Sequence, residues 1–171
     1  MMKYKKDERI VYGNNGVCRV EEAGMKNFSW LKEPAMYYTL QPLYKNQKIY
    51  APAEAPTPIR KAIGRSQAES LLEIIPKLRD NLAVQSYEEL AETDCHRQFN
   101  TFDCMDLIKT IGILRAKEEK GRILGRNLTQ EDQRLRDKAE DLLYGEMAAA
   151  LDMTREDMEA EVQRSLSFPE A

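Results

Sequence analysis

The chain has 171 residues, enough for one ordinary domain or two small ones, with a core that needs no disulfide support. Its 42% hydrophobic and 32% charged residues exclude collagenous and disordered classes. The longest wholly apolar run is Met147-Ala148-Ala149-Ala150-Leu151, far short of the ~20 residues of a membrane span.

The basic N-terminal residues are not followed by an apolar stretch, so no secretory signal is expected. Three cysteines (Cys18, Cys95, Cys104) without a CxxC pair imply reduced thiols and a cytoplasmic setting. The net charge of −3 is uneven: residues 1–58 hold nine Lys/Arg against six Asp/Glu, residues 59–171 seventeen against twenty-three. A general nucleic-acid coat is thereby excluded, and any nucleic-acid contact must be a local patch.

In chain order, Arg9-Ile10-Val11-Tyr12 predicts a strand that stops at Gly13-Asn14-Asn15-Gly16, a turn of residues tolerant of positive φ. Val17-Cys18-Arg19-Val20 predicts its partner. Residues 24–34 read as a loop carrying the only tryptophan, Trp30. Met36-Tyr37-Tyr38-Thr39-Leu40 and Lys48-Ile49-Tyr50-Ala51 predict two more strands. Four or five short strands in so few residues predict a small, bent antiparallel barrel with exposed edges, one of which could take a strand from a partner. The Pro-rich stretch 51–58 cannot be helical and is expected to lead out of this domain.

From residue 59 the apolar period becomes helical. Ser66…Glu69, Ser86…Glu89, Thr129…Asp132 and Thr154…Asp157 each place an acid three residues after a hydroxyl, and Asp103 is a plain N-cap. Pro76 is expected to end the first helix near Ile74 or Ile75. Ile108, Ile111, Leu107 and Leu114 mark one buried face; Leu135, Ala139, Leu142, Leu143 and Met147 mark another. Gly121-Arg122-Ile123-Leu124-Gly125 breaks the pattern between them and predicts an antiparallel helical hairpin. Gly145 inside a helix suggests a close helix crossing.

The chemistry-bearing residues are few. Cys95, His96 and Cys104 are the best metal ligands available, yet adjacent helical residues point ~100° apart and do not chelate together. The glycines match no phosphate-binding loop. Carboxylates such as Glu118, Glu119 and Asp132 lie near Arg122 and Arg136 at helical spacing, as on a solvated face. No catalytic constellation emerges, and an enzyme is not expected. Residues 115–138 hold eight basic residues (Arg115, Lys117, Lys120, Arg122, Arg126, Arg134, Arg136, Lys138) against five acids, a local edge suited to phosphate.

Three places carry a family resemblance: Asp7-Glu8-Arg9-Ile10-Val11-Tyr12-Gly13-Asn14-Asn15-Gly16-Val17; Tyr38-Thr39-Leu40 together with Lys48-Ile49-Tyr50-Ala51-Pro52 and Ile59-Arg60; and Asp141-Leu142-Leu143-Tyr144-Gly145-Glu146-Met147 running on to Leu151. In these the chain resembles the CarD/CdnL family of bacterial transcription regulators, whose N-terminal module is shared with the transcription-repair coupling factor. The resemblance implies an α+β protein of two domains: residues 1–58, a Tudor/SH3-like antiparallel β-barrel, and residues 59–171, a compact bundle of about five α-helices. It implies that the barrel binds the β subunit of bacterial RNA polymerase and that the helical domain lies near upstream promoter DNA; the edge strand that ends at Pro52 places the polymerase contact on Lys48, Ile49, Tyr50, Ala51 and Pro52, with Lys45 close by. Local charge places the DNA contacts on Arg115, Arg122 and Arg126, with Arg97 and Lys109 as outliers. They would be weak and directed to phosphates. No cofactor, metal, small-molecule substrate or membrane partner is implied. Family members that act on DNA wedge a Trp of the helical domain into the minor groove; here that domain has none, Tyr87 being its nearest substitute. Asn14-Asn15 stands where the family carries histidine, and Tyr50 where it carries a basic residue. A protein-interaction adaptor whose helical domain binds protein instead of DNA is the competing expectation.

Overall fold

The computed structural model describes residues 2–54 and 56–168. It separates into two compact units, residues 1–62 and 63–171.

The first unit is a five-stranded antiparallel sheet: β1 (Arg9–Tyr12), β2 (Val17–Lys26), β3 (Ala35–Pro42), β4 (Ile49–Pro52) and β5 (Ile59–Lys61), in the order β4-β3-β2-β1-β5. The expected barrel is thus an open sheet here, since β4 and β5 are its two edges and do not pair with each other. Ile10, Cys18, Val20, Tyr38, Leu40 and Ala51 fill its core together with Tyr4. The backbone amides of Lys3 and Tyr4 donate to Tyr38 Oη, which pins the N-terminal segment over that core. The β1–β2 turn forms at Gly13 and Gly16 as expected, with φ of +46° and +73°.

Two expectations shift. β2 continues to Lys26 instead of ending near Val20, because a bulge between Val20 and Glu22 lets pairing resume as far as Lys26 opposite Ala35. The loop carrying Trp30 is accordingly shorter. The Pro-rich stretch does not lead out of the domain. It returns to lay β5 antiparallel along β1, so the missing fifth strand comes from the chain itself. The boundary therefore falls at 62/63 and not at 58/59, and hydrogen bonding marks it. The Ala62 amide donates to the Arg9 carbonyl, while the next amide, Ile63, donates to the buried carboxylate of Glu146 in the second unit.

The second unit contains α1 (Arg65–Ala83), α2 (Tyr87–Ala91), α3 (Cys95–Phe99), α4 (Cys104–Ile123), α5 (Gln130–Leu151) and α6 (Arg155–Ser165). Ser86, Asp103, Thr129 and Thr154 cap as their spacing predicts, each side chain accepting from a backbone amide in the first turn. Ser66 does not. Gly64 is the N-cap of α1, and its amide donates to the Gln67 side chain. Pro76 lies inside α1. A helical proline costs ~3 kcal/mol, but Ile75 and Leu82 are buried on either side of it. Each gains ~1.5–3 kcal/mol by burial, so continuing the helix wins. The extra helix α3, capped by Asp94, makes six in place of the expected five or so. Both apolar stripes point inward, with Leu107, Ile108, Ile111 and Leu114 of α4 and Leu135, Ala139, Leu142, Leu143 and Met147 of α5 all buried. A close helix approach is seen at Gly112, where an added Cβ would lie 2.8 Å from Leu82 of α1.

Candidate functional site

In the first unit the edge strand β4 holds Ile49, Tyr50, Ala51 and Pro52 of the residues singled out in sequence, with Lys45 and Lys48 just before it. Its register sets Leu40 opposite Ile49, Thr39 opposite Tyr50, Tyr38 opposite Ala51 and Tyr37 opposite Pro52. The Ala53 amide donates to the Met36 carbonyl at 2.9 Å, so Met36 and Ala53 are a hydrogen-bonded pair. Antiparallel pairs alternate, which makes 51/38 and 49/40 hydrogen-bonded and 50/39 and 52/37 not. The amides of Ile49 and Ala51 therefore face β3, and only Tyr50 within β4 turns an N–H outward. Pro52 has the same outward parity but no N–H, so an added ladder stops there.

The side chains divide in the same way. Ala51 is fully buried and Ile49 packs against the core, so neither reaches a partner directly. Tyr50 is half exposed. Lys48 is exposed and pairs with Glu21 at 3.4 Å. Lys45 is exposed in the β3–β4 turn, where its carbonyl accepts from the Gln41 side chain.

In the second unit, much of the basic segment is spent on holding α4 against α5. Arg115 is not a free edge cation: it is largely buried and ion-paired with Glu140. Burial raises the Glu140 carboxyl above its ordinary range even with Arg115 beside it. Burial likewise pushes the neighbouring Tyr144 hydroxyl to about 12. Lys117 meets Asp132 at 2.9 Å and Arg136 meets Glu118, so these carboxylates cross-link the hairpin and do not form i, i+4 pairs along one face. Lys120 Nζ donates to the Ala83 carbonyl at 2.8 Å, at the end of α1.

Arg122 and Arg126 remain on the surface and bracket the α4–α5 turn. Arg122 pairs with Glu119, and the Arg126 guanidinium lies 5.0 Å from the centre of the Tyr87 ring. Between them Ile123 and Leu124 are 63% and 55% exposed, an apolar tip that charge counting misses. The turn is tight because the Arg126 amide donates to the Gly121 carbonyl at 2.7 Å, and a Cβ on Gly121 would sit 2.8 Å from the Arg126 carbonyl. Lys109 on α4 and Arg97 on α3 are exposed but lie outside this turn.

The cysteines are buried. Burial lifts the Cys18 and Cys95 thiols to about 11, the opposite of what a nucleophile needs. Cys104 Sγ donates to the Glu146 carboxylate at 3.1 Å. Among the described residues no group of three or more His, Cys, Asp or Glu could hold a metal ion. His96 is exposed on α3.

The fold and this edge define a small sheet module with an open strand, joined to a separate helical unit. Residues 4–63 match the CarD-like/TRCF RID domain, so the first unit belongs to that family of RNA polymerase-interacting domains, and the match ends one residue beyond the unit. Through that unit the match supports a CarD-like, RNA polymerase-interacting role in transcription. No curated protein matches the chain.

Proposed function

We propose that this chain is a bacterial transcription regulator whose N-terminal unit, a module of the Tudor/SH3 kind, adds the β4 edge to a strand of the RNA polymerase β subunit. The observation that carries this reading is the outward-facing Tyr50 backbone on an edge strand inside the matched domain. Strand addition uses main-chain hydrogen bonds and is therefore tolerant of side-chain changes along the edge.

The helical unit then sits beside upstream promoter DNA, with the α4–α5 turn toward it. Arg122 and Arg126 contact phosphates, and Ile123 and Leu124 press on the groove in the manner of apolar wedges. Alone, such contacts fall in the non-specific range of roughly 10⁻⁴ to 10⁻⁶ M at physiological salt. Tethering to polymerase supplies the rest as effective concentration. The protein acts in the cytoplasm, without cofactor and without catalysis of its own.

The test is formation of promoter open complexes by polymerase with wild-type protein, Tyr50→Pro, and Arg122→Ala/Arg126→Ala. Tyr50→Pro should lose polymerase binding. The arginine pair should keep it and lose the effect on the promoter complex, with a shallower salt dependence. A second reading, a protein-binding adaptor, is favoured by the exposed Ile123 and Leu124. It gains if the arginine pair changes nothing while Leu124→Asp does.

A further inference from the structure

The β2–β3 loop builds an aromatic surface next to the β4 edge. Phe28 and Trp30 stack with ring centres 4.4 Å apart and planes 8° apart. Phe28 meets Tyr37 at 5.2 Å and Tyr50 at 5.0 Å, both edge to face. Trp30 nevertheless stays 68% exposed and Tyr50 46%. Tyr37 and Tyr50 share one parity on β3 and β4, opposite in face to Tyr38 and Ala51, which fill the core. The four rings thus lie on the outer face of the sheet, beside its open edge.

Two ion pairs lie on the strands around these rings. Glu22, opposite Thr39 and so on the same face, pairs with Lys26 at 2.7 Å; Lys48 pairs with Glu21. An incoming side chain beside Tyr50 meets aromatic carbon. A strand added along β4 pairs at Tyr50. The residue opposite Tyr50 then projects on the same face as its ring, with Cβ atoms ~4.5–5.5 Å apart. Phe28 touches both Tyr37 and Tyr50, so the Phe28–Trp30 stack borders the Tyr50 ring on this same face.

We propose that Trp30, held flat by Phe28, forms with Tyr50 a platform that receives one large apolar side chain (Leu, Ile, Met or Phe) from the polymerase strand added to β4. The backbone edge gives pairing without selectivity, and the platform selects the register and the residue. This rests on the polymerase reading above.

The experiment measures affinity for purified core RNA polymerase at 50 and 200 mM salt. It compares wild-type protein, Tyr50→Pro, Trp30→Ala and Trp30→Phe, with the fold of each variant checked by thermal unfolding. Trp30→Ala should bind about tenfold or more weaker at both salt concentrations, and Trp30→Phe should recover most of that loss. If Tyr50→Pro loses binding while Trp30→Ala binds like wild type, the platform is overturned and the edge reading stands. If the Trp30→Ala defect disappears at 200 mM salt, the platform holds a cation and the apolar assignment is overturned. If wild-type protein does not bind polymerase, the underlying reading fails and the platform with it.

Discussion

Proline at position 51 and proline at position 50 should have opposite consequences, though the residues are neighbours on one short strand. By register the Ala51 amide is bonded inside the sheet to Tyr38, and its side chain is fully buried. Ala51→Pro leaves the Tyr38 carbonyl buried without its donor, at ~1–3 kcal/mol. It also forces ring atoms into a filled core, at a further ~1–3 kcal/mol. A 62-residue unit has only about 3–9 kcal/mol to lose. At ~4–8 °C per kcal/mol, the transition should fall by at least ~10 °C. Tyr50→Pro removes an outward N–H that nothing in the sheet uses. Its cost is one edge-to-face contact with Phe28, ~0.5–1.5 kcal/mol. Trp30 is the only tryptophan and lies in this unit, so its fluorescence during heating follows the sheet alone. Greater destabilisation by Tyr50→Pro than by Ala51→Pro would refute the hydrogen-bond parity assigned to β4, and with it the edge on which strand addition depends.

Gly121→Ala should destabilise the helical unit by ~1–3 kcal/mol in chemical denaturation, because the new Cβ meets the Arg126 carbonyl, a backbone atom that cannot swing aside. Leu143→Ala, at a fully buried position, should cost ~2–5 kcal/mol in the same assay. With the Cys18 and Cys95 thiols raised to about 11 from an ordinary 9.0, the unfolded chain ionises first as pH climbs. Stability from these groups is therefore complete below pH 9 and declines toward pH 11, while at pH 8 a thiol reagent should label them only after denaturation; rising denaturant midpoints between pH 9 and 11 would contradict this. A fragment of residues 1–62 should melt higher than one of residues 1–58, since only the longer retains β5 along β1.

Features carried by residues close together in the chain are legible in the amino-acid sequence alone. The caps Ser86, Asp103, Thr129 and Thr154 each act on an amide two or three residues away, and the β1–β2 turn depends on the φ freedom of its own glycines. The stripes of α4 and α5 are readable because helical period alone decides which side chains share a face. What tertiary structure decides involves partners distant in sequence. Pro76 reads locally as a stop, yet burial of Ile75 and Leu82 carries α1 past it. Residues 59–61 carry no local sign of being a strand and become one by pairing with β1. Arg115 and Arg122 look alike in sequence, but Arg115 falls opposite Glu140 on the packed side of the hairpin and Arg122 falls on its open end. The direction in which the Tyr50 amide points, and the stacking of Phe28 on Trp30 beside it, depend on the β3–β4 register. That register is a relation between two strands and is carried by neither alone.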